Sequence, residues 1–369
     1  LPLLSEVSEG EEAGVHEALA QVLQKAAWPE PSERYANAKE MLGALRKAGK
    51  LRPCELPKGL VIKERYTIAR QIGRGGMGAV YEVKDAHSHK RRALKIVVPP
   101  RIFRGDDGPT FSSRFDQECS LLQSHPHPGI VAIVDKDRFD GIPYCVMELA
   151  PGEPLKDCIG EILGSDGAGW PRLIEILRPV AEALDHLHDR GVLHRDVKPS
   201  NLMVDLESKS AMLIDFGIAR TQDLRLTEPG TRVGTPGFTA PELLGSGDEG
   251  RGPSDQWALA ACLYALVTGM NPGQKDRSER IVGPTLDARI LAGDIVPLGE
   301  TERACPVPEA IQDAITRAMA YAPSERHGSC TAFLDACVLP EGAESQEEGD
   351  APRATKAISR RHLLIGAVV

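Results

Sequence analysis

The sequence lacks the cysteine spacing of a zinc site. Its eight cysteines are scattered, with no Cys-x-x-Cys pair and no Cys/His cluster. It also lacks a basic excess, since 44 Lys and Arg stand against 53 Asp and Glu, a formal charge of −9. We therefore expect no nucleic-acid partner, because such proteins neutralise phosphates. The scattered thiols predict reduced cysteines in a cytosolic compartment.

Aromatic residues are scarce, at 4%, while apolar residues make up 41% and charged residues 26%. This balance fits neither a disordered, a collagen-like nor a membrane-embedded chain. No basic stretch leads an N-terminal apolar run, so no signal peptide is expected. At about 150 residues per domain, 369 residues predict two to three units of a soluble α/β protein.

Hydrophobic periodicity divides the middle of the chain into a β-rich part and a helical part. The β-rich part predicts three antiparallel strands, then a helix after a Pro/Gly/Asp-rich insertion, then two more strands. These six elements are predicted at 66–72, 79–83, 92–98, 115–122, 130–135 and 144–149. After Pro151 the pattern becomes mainly helical. The sequence therefore predicts a small β-rich lobe joined to a larger helical lobe.

An ungapped internal repeat links the two ends of the chain. Residues 307–336, the second copy, align on residues 15–44, the first copy, at a constant offset of 292. Both contain Pro-Ser-Glu-Arg, which favours duplication over two unrelated amphipathic helices of similar composition. We expect residues 1–50 to form a helix, a turn and a second helix, with a linker at 51–65.

The C-terminal tail has a charged part and an apolar part. Residues 339–362 begin acidic and end basic, which predicts a solvated linker. Residues 363–369 are apolar, but a bilayer span needs about twenty residues. A basic flank before an abrupt apolar start resembles the cytoplasmic edge of a transmembrane helix. The alternative is a frayed apolar terminus.

A glycine-rich turn follows the first predicted strand. Gly73, Gly75 and Gly78 form Gly-x-Gly-x-x-Gly, a spacing that lets the backbone approach phosphate oxygens. A dinucleotide-binding fold would continue into a helix and place an acid about twenty residues later. Here a strand follows and position 98 is Val. A plain hairpin turn is the alternative.

Lys95 lies in the third predicted strand, between apolar neighbours. A buried lysine needs an anionic partner, and nucleotide phosphates or Glu118 on the predicted helix could serve. The alternatives are an exposed strand lysine and a glutamate on a solvated helix face.

Two acidic loops carry the strongest local signal. The first, His-Arg-Asp-Val-Lys-Pro-Ser-Asn, contains Asp196, Lys198 and Asn201, and the second, Asp-Phe-Gly, contains Asp215. Phosphoryl transfer needs positioning, charge neutralisation and metal ligands. One carboxylate can accept a hydroxyl proton, while a second carboxylate and an amide oxygen hold Mg²⁺. Either aspartate alone would be more typical of a turn than of a catalytic site.

Together with Ala-Pro-Glu at 240–242 and Asp-Gln-Trp-Ala-Leu at 255–259, these motifs resemble the protein-kinase signature. Over residues 66–338 the chain resembles the bacterial eukaryotic-like serine/threonine protein kinases. The resemblance implies an α+β, two-lobed kinase fold, ATP and Mg²⁺ as cofactors, and proteins with Ser or Thr as substrates. The alternative is a nucleotide-binding pseudokinase scaffold. A small-molecule phosphotransferase is disfavoured by the Ala-Pro-Glu motif and the activation segment.

The resemblance also implies residue roles. Asp196 is implied to be the catalytic base, and Lys198 is implied to contact the transferred phosphoryl group. Lys95 is implied to pair with Glu118. Asn201 and Asp215 are the implied Mg²⁺ ligands. The implied ATP contacts are Ile72, Gly73, Gly75, Gly78, Val80, Ala93, Lys95, Met147 and the backbones of Glu148 and Ala150.

Further residues are implied to support or regulate the site. Asp255 ties the catalytic loop from beneath, and Glu242 pairs with Arg326. Thr235 contacts the acceptor hydroxyl. Thr227 and Thr231 are candidate phosphorylation sites on the activation segment, modified in trans within a homodimer. The catalytic domain is expected in the cytoplasm, tethered to a membrane through the tail. By the same resemblance, residues 307–336 are the last helices of the kinase domain, and residues 1–50 resemble the C-terminal end of a preceding kinase-like domain. The alternative is a helical hairpin that docks on the small lobe.

Overall fold

The computed structural model covers most of the chain. The described residues are 25–27, 31–38, 40–42, 45, 56–75, 78–97, 108–139, 141–215, 235–244, 251–279, 281 and 283–338. Thr227, Thr231, residues 339–369 and most of residues 1–50 lie outside them. The chain divides into a β unit, residues 1–109 with 135–147, and a helical unit, residues 110–134 with 148–369.

Most of a six-stranded sheet, ordered β1-β2-β3-β4-β6-β5, lies in the β unit. The strands are β1 (Val61–Ile62), β2 (Tyr66–Gly75), β3 (Gly78–Asp85), β4 (Arg91–Val97), β5 (Ile133–Phe139) and β6 (Ile142–Glu148). β2, β3 and β4 are antiparallel neighbours, as the sequence predicts. β2 and β3 run further than predicted, because Gly75 pairs with Gly78 and carries the ladder to the glycine turn.

The described part of the helical unit contains eight α-helices, three short 3-10 helices and a small sheet. The helices are α1 (Gly108–Ser124), α2 (Leu155–Leu163), α3 (Trp170–His188), α4 (Pro241–Leu244), α5 (Gly252–Thr268), α6 (Gly283–Leu291), α7 (Glu309–Ala318) and α8 (Cys330–Ala336). The sheet is β7 (Glu153–Pro154), β8 (Leu202–Asp205) and β9 (Ser210–Leu213), in that order. None of the described helices is long and apolar enough to cross a membrane.

The core of the helical unit surrounds α5. Every residue of α5 from Ser254 to Thr268 is buried, which explains its near-continuous apolar sequence, since a helix that is hydrophobic all round must be enclosed. Helices α3, α7 and α8 contribute the other large side chains of this core, among them Trp170 and Phe333. Packing therefore fixes the position of α5, and the first turn of α5 supports the site described below.

Other predicted boundaries are also wrong. The helix predicted at 115–122 begins at Gly108. The strand predicted at 130–135 is β5, which begins at Ile133; Ile130 instead forms a parallel bridge with Leu213, whose carbonyl also accepts the Val131 N–H at 2.9 Å. The apolar pair 130–131 is extended because it borders β9. The expected linker at 51–65 is partly structural, because β1 pairs with β2 and Ile62 is fully buried.

Candidate active site

One face of the sheet in the β unit carries the predicted phosphate-binding residues. Val80 pairs with Gly73 on one side and with Lys95 on the other. Directly opposed residues, and residues two apart on one strand, point to the same face. The residues on this face are Gly73, Gly75, Gly78, Val80, Ala93 and Lys95.

The opposite face is the core of the β unit. Tyr81, Leu94, Ile96 and Val146 belong to one buried cluster there. By strand alternation Met147, which follows Val146, lies on the face that carries Lys95, and it is 6% exposed. Lys95 itself is partly exposed, so the predicted nucleotide face is distinct from the packing face.

Gly73 and Gly78 differ in why a side chain would be unfavourable at each position. Gly78 has φ +148°, and a Cβ built there would lie 1.9 Å from the carbonyl oxygen of Ile96, so local packing demands glycine. A Cβ at Gly73 would make only ordinary contact with Val80, at 3.6 Å. Packing within the β unit therefore does not explain the glycine at 73, whereas close approach of a ligand to the backbone would.

Glu118 lies on the packed side of α1. Its neighbours Phe115 and Cys119 are fully buried, and its own Oε2 atom is buried. The solvated-face alternative for Glu118 is therefore wrong. Its pairing with Lys95, which belongs to the other unit, stays a prediction.

Glu148 offers only part of its backbone to a ligand. Its N–H donates to the carbonyl of Ala132 at 3.0 Å. Because the Glu148 N–H is already used, the backbone groups still predicted to bind adenine are the Glu148 carbonyl and the N–H and carbonyl of Ala150.

The predicted base, Asp196, is 6% exposed and has partners on both oxygens. Its Oδ1 accepts the hydroxyl proton of Thr235 at 2.9 Å, and its Oδ2 accepts the Asn201 Nδ2–H at 3.0 Å. The Lys198 ammonium lies 3.0 Å from Oδ2 and also donates to the Thr235 hydroxyl at 3.3 Å. Four predicted residues thus meet within the helical unit, around one carboxylate.

Asp255, at the start of α5, fixes the backbone of this loop. Its carboxylate accepts the N–H groups of His194, at 2.8 Å, and Arg195, at 2.9 Å. Arg195 has φ +62°, a left-handed conformation that costs free energy in a residue with a Cβ. The carboxylate of Asp255 holds Arg195 in that conformation and so sets the position of Asp196.

His188, at the end of α3, completes the support. Its Nε2 lies 2.8 Å from Oδ2 of Asp255. Burial opposes ionisation of Asp255, but the hydrogen bond from His188 and the charges of His188 and His194 keep its pKa below the ordinary value. The sequence motifs do not predict this role for His188; the available signal is its position six residues before His194.

Asn201 is arranged so that its amide oxygen is left for another partner. Its Nδ2 donates twice to Asp196, to the backbone carbonyl at 2.9 Å and to Oδ2 at 3.0 Å. The Asn201 carbonyl accepts the N–H of Ile214 at 3.0 Å, which brings the neighbouring Asp215 to the same loop. An amide oxygen and a carboxylate are oxygen ligands of the kind that Mg²⁺ prefers.

The predicted pair between Glu242 and Arg326 is present. The guanidinium donates to both carboxylate oxygens, at 2.7 and 2.8 Å, and the Arg326 side chain has no solvent exposure. Glu242 also accepts the hydroxyl proton of Ser254 at 2.7 Å, so this pair ties α4 to the start of α5.

Comparisons with known proteins agree with these motifs. A family profile described as "Protein kinase domain" matches residues 66–337. The serine/threonine-protein kinase PknF of Mycobacterium tuberculosis is 35% identical over 313 residues, 82% of this chain. PknD of the same species is 37% identical over 263 residues, 71% of this chain. The chain spans 63% of the length of PknF and 37% of that of PknD.

Solved structures are similar as well. The crystal structure of the Mycobacterium tuberculosis PknI kinase domain is 31% identical with a TM-score of 0.54, covering 77% of this chain and 98% of that one. The apo form of PpkA-294 is 26% identical with a TM-score of 0.61, covering 77% of this chain and all of that one.

Proposed function

The chain belongs to the protein kinase family, whose two-lobed α+β fold it has, and on that premise we propose that it is an active serine/threonine protein kinase. The family uses ATP with a divalent cation and acts on proteins. The proposed reaction transfers the γ-phosphoryl group of Mg·ATP to a Ser or Thr hydroxyl. The observation that carries the proposal is the Asp196 carboxylate, held by Thr235, Asn201 and Lys198.

Asp196 suits the role of base because its two oxygens are fixed in position. A substrate hydroxyl that reaches Oδ1 beside the Thr235 hydroxyl can donate its proton to the same oxygen, which has a second lone pair, as the phosphoryl group is transferred. Lys198, 3.0 Å from Oδ2, supplies a positive charge for the phosphoryl oxygens. Thr235, which lies beside the base, is the residue proposed to contact the acceptor hydroxyl.

Asn201 and Asp215 are the residues proposed to hold Mg²⁺. The Asn201 amide fits this role because its N–H groups are committed to Asp196, so its oxygen is the free ligand atom. When bound, the cation neutralises charge on the nucleotide phosphates. Asp215 adds a carboxylate, which hard cations favour.

The β unit is proposed to hold the nucleotide on the face defined above. Gly73, Gly75 and Gly78 admit phosphates to the backbone, and Lys95 supplies a charge on that face. The predicted adenine contacts are Ile72, Val80, Ala93 and Met147, with the backbones of Glu148 and Ala150. The pairing of Lys95 with Glu118 belongs to this proposal.

Phosphotransfer from labelled ATP tests the function directly. Wild-type protein with Mg²⁺ should label itself and a Ser/Thr-containing acceptor protein, and Asp196→Asn should lower the rate by at least about a hundredfold. Asp313→Asn, the same change at an exposed position on α7, is the matched control. Absence of label in every protein, with ATP binding retained, would instead support the pseudokinase scaffold.

We propose further that the kinase activates itself in trans, within a homodimer, by phosphorylating Thr227 or Thr231. Arg195, which precedes the base and is partly exposed, offers a cation for such a phosphate. An inactive Asp196→Asn protein should become labelled by wild-type kinase. Unchanged activity in the Thr227→Ala, Thr231→Ala double variant would contradict the proposal.

The location proposed for the catalytic domain is the cytoplasm, next to a membrane. The basic end of 339–362 before the apolar 363–369 supports a tether, because basic segments are drawn to anionic lipid. Carbonate extraction of membranes from the source cells should leave the complete gene product in the membrane fraction. Recovery in the soluble fraction would contradict the tether.

A further inference from the structure

The two copies of the internal repeat share hydrogen bonds as well as sequence. In the second copy, Pro323–Glu325 forms a 3-10 turn, and the N–H of Arg326 donates to the proline carbonyl at 3.3 Å. In the first copy, Pro31–Glu33 forms the same turn, and the N–H of Arg34 donates to its proline at 3.3 Å. The two turns lie 292 residues apart.

The helix that follows each turn begins in the same way. Ser329 caps α8 by accepting the N–H of Ala332 at 3.0 Å, and Asn37 accepts the N–H of Glu40 at 2.9 Å. The carbonyl of each capping residue also accepts an N–H four residues later, from Phe333 to Ser329 at 3.1 Å and from Met41 to Asn37 at 3.2 Å. Both caps use a short polar side chain at the position that favours one.

A contact between the preceding helix and the turn is also repeated. In the first copy, the Lys25 ammonium lies over the Tyr35 ring, 4.6 Å from its centroid. In the second copy the equivalent of Lys25 is Arg317, whose Nε–H donates to the carbonyl of Glu325 in the turn at 3.3 Å. In each copy a cation at the same position of the preceding helix is therefore held against the turn or the residue that follows it.

The copies differ in what covers them. In the second copy the Arg326 side chain is fully buried against Glu242 and Leu334 has no exposure. In the first copy Arg34 is exposed and Leu42, the equivalent of Leu334, is 37% exposed. The first copy therefore keeps the anchoring arginine and the apolar helix face of a kinase C-lobe end without their burial.

We propose that the first copy is the end of a second kinase-type helical lobe, and that it docks on such a lobe outside residues 66–338. The partner encloses Arg34, as the helical unit encloses Arg326, and provides an apolar groove for Met41 and Leu42. This rests on the kinase fold of the chain and not on its activity.

The helical unit of this chain does not fit as that partner. Its groove already holds the second copy, in which Ile311, Phe333 and Leu334 have no exposure. The first copy also carries larger residues at two positions, Trp28 for Ala320 and Tyr35 for His327. His327 is 8% exposed and its N–H and carbonyl bond to the Gln256 side chain, and overpacking such a site is destabilising.

A graft tests whether the first copy is a kinase C-lobe end. Residues 307–336 are replaced by residues 15–44 carrying Trp28→Ala and Tyr35→His, which restores the volumes of this groove. The expected protein unfolds cooperatively, and Arg34→Ala in the graft lowers its Tm by as much as Arg326→Ala lowers that of the parent. A graft with Pro-Ser-Glu-Arg scrambled is the control and should not fold. Loss of the cooperative transition, or a Tm indifferent to Arg34→Ala, overturns the proposal.

Photocross-linking identifies the occupant. A photoreactive amino acid replaces Leu42 in the complete gene product, made in its source cells, and the adducts are mapped by mass spectrometry. The control position is Ala36, whose equivalent in the second copy, Gly328, is exposed. An adduct from 42, and not from 36, to a kinase-type helical segment outside residues 66–338 supports the proposal. Adducts to residues 66–338, in the same chain or in another molecule of this protein, overturn the proposal. The absence of any adduct also overturns it. Neither readout depends on phosphotransfer.

Discussion

Thr235 donates its hydroxyl proton to Oδ1 of Asp196 over 2.9 Å, across 39 positions of the chain. The oxygen of that hydroxyl accepts in turn from Lys198 at 3.3 Å, and the same ammonium lies 3.0 Å from the other carboxylate oxygen. The three side chains close a triangle that orients the proposed base. A hydroxyl at position 235 is therefore part of what positions Asp196.

Removing that hydroxyl should slow the reaction more than it weakens nucleotide binding. A hydrogen bond to a charged group contributes about 1.5–3 kcal/mol, so Thr235→Ala is expected to lower kcat on the order of 10- to 100-fold. Thr235→Ser keeps the hydroxyl and should retain most activity, whereas Thr235→Val keeps only the shape. Steady-state kinetics with a peptide acceptor provide the measurement. A Val variant as active as the Ser variant would show that the hydroxyl has no role.

The two glycines of the β2–β3 ladder should respond in opposite ways to alanine. Gly78→Ala brings a Cβ to 1.9 Å from the Ile96 carbonyl oxygen and should lower the free energy of unfolding by about 2 kcal/mol or more. Gly73→Ala meets only Val80, at 3.6 Å, so stability should change by less than about 0.5 kcal/mol.

Gly73→Ala should nevertheless raise the KM for ATP several-fold, because its Cβ lies on the face proposed to approach phosphates. Thermal unfolding and ATP titrations of both variants separate the two effects. An unchanged KM in Gly73→Ala would contradict the nucleotide assignment of this face.

Local patterns account for the parts of the fold and site that the sequence predicts well. Period-two alternation places Ala93 and Lys95 on one face of their strand without any tertiary information. Asp196, Lys198 and Asn201 meet because they lie within six residues, so a short motif carries most of that geometry. The motif order then extends to Glu242 and Arg326, whose pairing across 84 positions follows from the family resemblance and not from spacing.

What the sequence does not predict depends on contacts between distant segments. Ile130 and Val131 have the pattern of a strand, but the pattern does not say that β9, more than 80 residues later, is their neighbour. The bond between His188 and Asp255 spans 67 positions and leaves no periodic trace. Such pairings are decided by which buried faces meet, and that depends on the packing of the whole unit.

Asp255→Asn should reduce both stability and activity. A single amide oxygen cannot accept the His194 N–H, the Arg195 N–H and the His188 ring proton as the carboxylate does. A buried donor without a partner costs about 1–3 kcal/mol, and we expect a loss of that size in urea denaturation.

The rate should fall as well, because Arg195 loses the carboxylate that holds its left-handed backbone beside the base. Asp313→Asn, an exposed change of the same chemistry, controls for the substitution itself. A variant as stable as this control, with full kcat, would rule out the proposed support.

The pair between Arg65 and the buried Asp85 should make the stability of the β unit sensitive to acid. The Asp85 side chain has no exposure and accepts from Arg65 at 2.7 and 3.0 Å. The hydrogen bond from Arg65 is the largest cause that holds the pKa of Asp85 well below its ordinary value, although burial opposes it, and the Ser88 hydroxyl lowers it further. A carboxyl group with a depressed pKa in the folded state stabilises the protein above its unfolded pKa, near 3.9, and this contribution is lost as the pH falls.

We therefore expect the stability advantage of wild type over Asp85→Asn to be largest above about pH 5 and to shrink between about pH 4 and pH 2. Urea unfolding of both proteins across this range measures the difference directly, so the titration of other carboxylates cancels. Asp157→Asn, at an exposed position, should follow wild type at every pH. Parallel curves for wild type and Asp85→Asn would mean that the protonation of Asp85 does not differ between the folded and unfolded states, contrary to the bidentate pairing with Arg65.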